Sequence, residues 1–306
     1  MIKSLRETEL KSLLDVELKN LNHAYLFYSK DSLLNNDIAE LFAYMIFCET
    51  HTPCFECPAC KKTEINKNPD FTILDKSAIA VDDILQLLDN AQLKPMLYDY
   101  KVILIKNAEN INEVAQNKLL KTLEEPNNST IFILTTTNEE KLLATVKSRL
   151  KIIYLNLNSI SPIRQELLNL GVNEKFLSAD FTLSEMVENS QNKDYLQLLS
   201  NMENCLLNLK TTQNIPACVN GLKLDSKNKF IYLDLLNKAF NVMNGNSIFS
   251  DNLTNYLRQN FSVKLTIKIQ ELIQEAYKRL KSNVNANYTF DCLFYMILKE
   301  KYLCKQ

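Results

Sequence analysis

Glycine is almost missing from this 306-residue chain: only Gly171, Gly221 and Gly245 occur. The first 170 residues therefore contain no glycine-rich loop, the usual device for letting backbone N–H groups approach a phosphate. A dominant charge is missing too. The net charge is −1, from 35 basic and 36 acidic residues. The first 160 residues carry 18 basic and 22 acidic side chains, and the remainder carry 17 and 14. Neither part has the positive excess of an autonomous nucleic-acid binder, although DNA contact inside a larger assembly stays open. The opening "MIKSLRETELKSLL" lacks the apolar core of a signal peptide. No stretch approaches 18 continuous apolar residues. A cytoplasmic protein is expected, and in a reducing compartment its eight cysteines do not read as a disulfide framework.

The length is too great for one ordinary core and predicts two or three domains. Up to about residue 157, short apolar runs at 25–28, 71–74, 102–105, 131–135 and 152–155 read as strands. Helical patterns at 37–47, 81–91, 113–124 and 139–146 alternate with them, and the third stops at Pro126. On that third helix Val114, Leu119, Leu120 and Leu123 are taken as the apolar side. Such alternation predicts an α/β domain with a parallel sheet covered on both faces. Beyond about residue 159 the strands give way to amphipathic helices. The clearest carries Phe290, Leu293, Phe294, Ile297 and Leu298 at helical spacing. The Asn-rich stretches 241–247 and 282–288 read as loops. The helical part is long enough to split into a small lid and a larger bundle.

The stretch "CETHTPCFECPAC" places Cys48, Cys54, Cys57 and Cys60 within 13 residues. Four soft thiolates with two Cys-x2-Cys gaps suit one tetrahedral Zn²⁺, and four protein ligands leave no open position for catalysis. His51 is an alternative to one thiolate, and a redox Cys-x2-Cys pair is the competing reading. The site lies between a helix and a strand, so it staples an excursion from the α/β domain. Cys205, Cys218, Cys292 and Cys304 are scattered through helical sequence and read as small hydrophobic residues.

A phosphate-binding loop belongs between the first strand and the first long helix. It requires glycines, then Lys and Ser/Thr for charge and Mg²⁺. The chain offers "SKDSLLNND", with Leu34, Asn35 and Asn36 where those groups belong. The strand "KVILIKNAEN" ends in Lys106 and Asn107, where a nucleotide enzyme presents metal-holding carboxylates. Two independent requirements fail together, which argues against ATP hydrolysis by this chain. Lys106 is expected to be solvated.

The stretch "NKLLKTLEEPNNSTIFILTTTNEEKLLATVKSRL" (117–150), the upstream "NPDF" and the four-cysteine cluster resemble the clamp-loader branch of the AAA+ superfamily. The resemblance covers about residues 20–155. With both nucleotide motifs degraded, it is strongest to the delta-prime family of the bacterial DNA polymerase III clamp loader. It implies an AAA+ domain at 1–157 with a zinc module at about 48–60, a helical lid at 158–205 and an all-α collar at 206–306. It also implies a stator without its own catalysis or bound ATP, in a ring-like pentamer with gamma/tau ATPase subunits and delta. That assembly opens the sliding clamp and places it on primed DNA. In the family, the arginine matching Arg149, preceded by Ser148, reaches ATP held by a neighbouring subunit. An always-charged planar donor is suited to γ-phosphate charge in trans.

Some positions depart from the family. Leu150 replaces the usual cysteine, the gap from Cys48 to Cys54 is short, and "SADFTLSEMVEN" lacks the lid glycine and arginine of ATPase relatives. Beyond about residue 205 the chain resembles the family only in being helical. Thr135, Thr136 and Thr137, where ATPases monitor the γ-phosphate, are expected to be structural. The alternatives are an active ATPase subunit of the same family, or a zinc-dependent DNA-binding protein working alone.

Overall fold

The structure is a computed structural model, and it describes residues 2–64, 67–125, 127, 129–157, 160–177, 181–241 and 248–304. These form two compact units, Met1–Leu170 with Thr182–Ser184, and Gly171–Phe181 with Glu185–Gln306.

The first unit opens with helices α1 (Ile2–Leu5) and α2 (Glu9–Lys19). A five-stranded sheet follows: β1 (Ala24–Tyr28), β2 (Phe71–Leu74), β3 (Lys101–Ile105), β4 (Thr130–Thr136) and β5 (Lys151–Tyr154). The order is β2-β3-β4-β1-β5 and every pairing is parallel. All five expected strands are present. β3 and β4 are buried along their whole length, which is why they read as unbroken apolar runs.

Helices α3 (Ser32–Phe47), α4 (Pro58–Glu64), α5 (Val81–Gln92), α6 (Glu113–Glu124), α7 (Ala144–Lys147) and α8 (Arg164–Asn169) complete the unit. One core joins Leu26, Ile103, Ile105, Phe132 and Leu134 of the sheet to Ile84 and Leu88 of α5 and Leu119 and Leu123 of α6. Leu150 belongs to this core, so an apolar residue satisfies its position without a cysteine.

Two helical expectations need correction. On α6 the buried side is Ala115, Gln116, Leu119 and Leu123, whereas Val114 is 61% exposed. Positions 115, 119 and 123 share a face at a spacing of four; 114 and 119, five apart, do not. The helix expected at 139–146 is instead a single 3-10 turn at Glu139–Lys141, followed by α7. Leu142 between them is extended. The Gln116 side chain stabilises the break, because its Oε1 accepts from the Leu143 N–H at 2.8 Å and its Nε2 donates to the Lys141 carbonyl at 3.0 Å. The expected helix stop at Pro126 lies outside the described residues.

The second unit is helical among its described residues: α9 (Leu183–Gln191, from Glu185 onward), α10 (Lys193–Asn208), α11 (Ile215–Leu222), α12 (Lys229–Phe240), α13 (Asp251–Asn260), α14 (Val263–Lys281) and α15 (Ala286–Leu303). The expected stripe on α15 is its buried face: Phe290, Leu293, Phe294, Ile297 and Leu298 are all at most 4% exposed. α15 begins at Ala286, so the loop expected at 282–288 is shorter than its Asn content suggests. Residues 242–247 of the other Asn-rich loop, and 178–180 of the expected lid sequence, lie outside the described residues. Among the described residues no helix is long and apolar enough to cross a membrane.

Candidate functional site

Ligands of open parallel α/β sheets bind beyond the carboxyl ends of the strands, where the strand order reverses. Here that place lies between β1 and its neighbour β4, with the tip of β3 alongside. The polar side chains there are paired with one another. A closed ring of hydrogen bonds joins the β3 tip, the β4 tip and α3. The Asn107 N–H donates to Thr135 Oγ1 at 2.9 Å, and Thr135 Oγ1 donates to Asn36 Oδ1 at 2.6 Å. Asn36 Nδ2 donates to Ser32 Oγ at 3.4 Å, and Ser32 Oγ returns to Asn107 Oδ1 at 2.7 Å. Asn107 is left-handed, φ 51°, a conformation that asparagine tolerates better than most residues. Asn35 is fully buried: its Nδ2 donates to the Ser29 and Thr136 carbonyls at 3.0 and 2.8 Å, and its Oδ1 accepts from Ser29 Oγ at 2.6 Å.

Asp31 occupies the N-terminus of α3, the place where a phosphate sits in nucleotide-binding relatives of such folds. Its Oδ1 accepts from the N–H groups of Leu33 and Leu34 at 3.1 and 3.3 Å, and from the N–H and hydroxyl of Ser184 at 3.3 and 2.7 Å. Its Oδ2 accepts from the Leu183 N–H. One carboxylate thus neutralises the helix end and fixes the 182–184 segment. Leu34 is buried beside it.

Lys106 is not solvated. Its ammonium lies 2.6 Å from Glu40 of α3 and 3.6 Å from Asp75, with the side chain only 15% exposed. Burial works against its charge, but these carboxylates raise its pKa above the ordinary lysine value. Glu40, set in the largely apolar α3, gives the lysine a partner that no local pattern announces. The three threonines do structural work, as expected. Thr136 and Thr137 Oγ1 donate to Glu109 at 2.7 and 2.6 Å, and Thr135 belongs to the ring.

Arg149 follows α7 at the surface, with its side chain 29% exposed. Its Nη1 donates to the Thr145 carbonyl at 2.6 Å and to Ser148 Oγ at 3.3 Å. Its Nη2 pairs with Glu124, the last residue of α6. The guanidinium is therefore oriented from two sides while remaining in contact with solvent.

The Sγ atoms of Cys48, Cys54, Cys57 and Cys60 all lie within 4.8 Å of one another. Cys54 Sγ is 3.6 Å from Cys48 Sγ and 3.9 Å from Cys60 Sγ. Four sulfurs about 2.3 Å from one tetrahedral ion would stand ~3.8 Å apart, so the donor set fits Zn²⁺. Backbone N–H groups of Cys57 and Cys60 point at Cys54 Sγ and Cys57 Sγ at 3.3 and 3.4 Å. Burial opposes ionisation of Cys57, yet the Cys60 N–H helps hold it below the ordinary thiol value, whereas burial pushes Cys60 above it. Burial opposes ionisation of Cys48, yet hydrogen bonds from Thr50 and Cys54 bring it down to about 6. His51 is exposed and outside the cluster. Both His51 (φ 52°) and Phe55 (φ 59°) are left-handed, a strain that a closed metal loop would hold.

Sequence reasoning missed Asp31, Glu40, Glu124 and Asp70. Asp31 carried a legible signal, an N-cap residue just before an apolar helical run. Asp70, inside "NPDF", is fully buried and accepts from the N–H groups of Met96, Leu97 and Tyr98 at 2.6, 2.7 and 3.0 Å. It shapes a loop some 25 residues downstream, which no local signal reveals.

Residues 7–159 match the family described as DNA polymerase III, delta subunit. The chain belongs to that family. The chain is similar to the DNA polymerase III subunit tau/gamma of Haemophilus influenzae, 34% identical over 67% of this chain and 31% of that relative's length. Two relatives named DNA polymerase III subunit delta' align as well. That of Pseudomonas aeruginosa is 34% identical over 42% of this chain and 41% of its own; that of Bacillus subtilis is 30% identical over 60% and 58%. The delta-subunit family member described here thus spans about a third of the tau/gamma relative and about half of the delta' relatives.

Proposed function

We propose that this chain is a delta-prime-type, non-catalytic stator subunit of the DNA polymerase III clamp loader. It assembles with gamma/tau ATPase subunits and delta, and through them helps place the sliding clamp on primed DNA. Residues 158–205 act as the lid and 206–306 as the collar. The carrying observation is the Asp31 carboxylate at the N-terminus of α3, within strand tips whose polar groups bind each other. An incoming triphosphate would meet a buried negative charge where it needs N–H donors. Lys106, which stands where a metal carboxylate belongs, is taken by Glu40.

Arg149, with Ser148, serves the neighbouring subunit. It remains in contact with solvent, and exchanging Glu124 for a γ-phosphate trades one anionic partner for another. Cys48, Cys54, Cys57 and Cys60 hold a structural Zn²⁺ that closes the 48–60 loop; all four positions of the ion are filled by protein, so it takes no part in chemistry.

A second reading, an active ATPase subunit, is favoured by the identity with tau/gamma relatives. Calorimetric titration with ATP separates the two. The stator reading expects no measurable heat of binding, and micromolar binding would overturn it. Reconstitution with gamma/tau and delta then tests the arginine. Arg149→Ala is expected to assemble normally and to lower the clamp- and DNA-stimulated ATPase rate; an unchanged rate refutes the trans role. A gel shift with primed DNA over a range of salt tests the stand-alone DNA-binding alternative, which requires strong, salt-sensitive binding by this chain alone.

A further inference from the structure

The second unit contains two cysteines that the proposed function leaves unused. Cys205 lies on α10 and Cys218 on α11, and both are buried. Cys218 Sγ is 3.4 Å from the Cys205 carbonyl oxygen. Both line a groove of about 440 Å³ whose other walls include Asn201, Asn204, Asn214 and Gly221. A Cβ built at Gly221 would meet nothing within 4 Å, so the groove is open at that point. The asparagine amides make its walls polar. Two buried cysteines on facing walls of one open polar groove, the sulfur of one against the backbone of the other, are a different arrangement from two small core hydrophobes.

We propose that Cys205 and Cys218 form a reversible dithiol–disulfide pair, oxidised by a small polar disulfide that enters the asparagine-lined groove. The pair is asymmetric. As a thiol, Cys218 donates to the Cys205 carbonyl. As a thiolate, it accepts from the Cys205 S–H, and that bond lowers its pKa while raising that of Cys205. The thiolate is the nucleophile of thiol–disulfide exchange. Cys218 therefore attacks one sulfur of the entering disulfide RSSR. The RS–SR bond breaks, RS⁻ departs and takes up the Cys218 proton, and Cys218 is left as a mixed disulfide. Cys205 then gives up its proton and attacks the Cys218 sulfur. The second RS⁻ leaves with that proton. Two protein thiols are oxidised to one disulfide, and RSSR is reduced to two RSH. The new S–S bond, about 2.05 Å long, joins α10 to α11 within the unit.

The test uses the full zinc-loaded chain and oxidised glutathione. After incubation, free thiols are alkylated in denaturant and the tryptic peptides are weighed. Lys210 lies between the two cysteines, so trypsin separates their peptides unless a disulfide holds them. The expected product is the linked pair, lighter than the two free peptides by two hydrogen atoms and restored by dithiothreitol. Cys304, exposed near the end of α15, acquires glutathione and reports that the oxidant is active. In Cys205→Ser, glutathione is expected to remain trapped on Cys218. Alkylation of both cysteines as complete as without oxidant overturns the proposal. So does a wild-type chain in which Cys218 keeps its glutathione, because Cys205 then fails to resolve it.

Discussion

Asp31 ties the N-terminus of α3 to the 182–184 segment, and Asp31→Ala measures how firmly. The carboxylate is 6% exposed and accepts from five donors: the N–H groups of Leu33, Leu34, Leu183 and Ser184, and the Ser184 hydroxyl. Loss of an N-cap destabilises a helix by about 1 kcal/mol. Each buried donor left without a partner adds about 1–3 kcal/mol. Water entering the vacated volume can satisfy part of this, so a total of about 3 kcal/mol is expected for opening the 182–184 segment. A chain with two units is not safely two-state, so the assay is local. Amide hydrogen exchange at Leu183 and Ser184 should accelerate roughly 100-fold, since 1.4 kcal/mol corresponds to a factor of ten. Asp31→Asn keeps one acceptor oxygen and should fall between the variant and wild type. If these two amides exchange within about twofold of wild type in Asp31→Ala, the carboxylate does not hold the segment and the reasoning fails.

Zinc content should be about one per chain. Cys60→Ser or strong chelation should remove it and lower the thermal midpoint; a metal-free chain with an unchanged melt would exclude a structural role. Asp70→Ala strands three backbone N–H groups and should make local opening of the 96–98 loop easier by about 3–5 kcal/mol, read as faster amide hydrogen exchange at Met96, Leu97 and Tyr98. Arg149→Ala should alter the stability of the isolated chain by less than about 1 kcal/mol, because its ion pair with Glu124 is partly exposed. A larger loss would mean that the arginine is needed for folding.

Asp37 supplies a pH test. Burial, then the nearby charge of Glu40, raises its carboxyl to about 6, while Lys106 pulls the other way. Between about pH 4 and 6 the folded chain retains a proton that the unfolded chain has lost, so this group's contribution to stability falls as pH rises through that window. Asp37→Asn should therefore become more stable relative to wild type between pH 4 and 7, by on the order of 1–3 kcal/mol. A difference between the two that does not vary with pH would contradict the assignment.

Five strands were legible because their apolar runs are short and bounded, and β1, β3 and β4 are buried along nearly their whole length. The cysteine spacing was legible because one ion imposes it locally. The break at 142–143 was not, because it depends on Gln116, some 26 residues away, taking both backbone groups. Lys106 was misjudged for a similar reason: Glu40, its partner, precedes it by 66 residues. The exposed side of α6 was misread because Val114 is apolar yet lies off the 115/119/123 stripe.

The sequence by itself determined what this protein lacks: the glycines that would open a backbone to phosphate and the carboxylates that would carry Mg²⁺ at the β3 tip. It also determined the α/β order and the four-thiol cluster, since periodicity and close spacing are local properties of the chain. Only the tertiary structure decided what fills the strand tips and what faces outward. The bonds from Ser32 to Asn107 and from Thr135 to Asn36, the grip of Asp31 on Ser184, and the meeting of Arg149 with Glu124 join residues 25 to 153 positions apart. Such partners are set by how helices pack on the sheet, a geometry that no window of sequence contains.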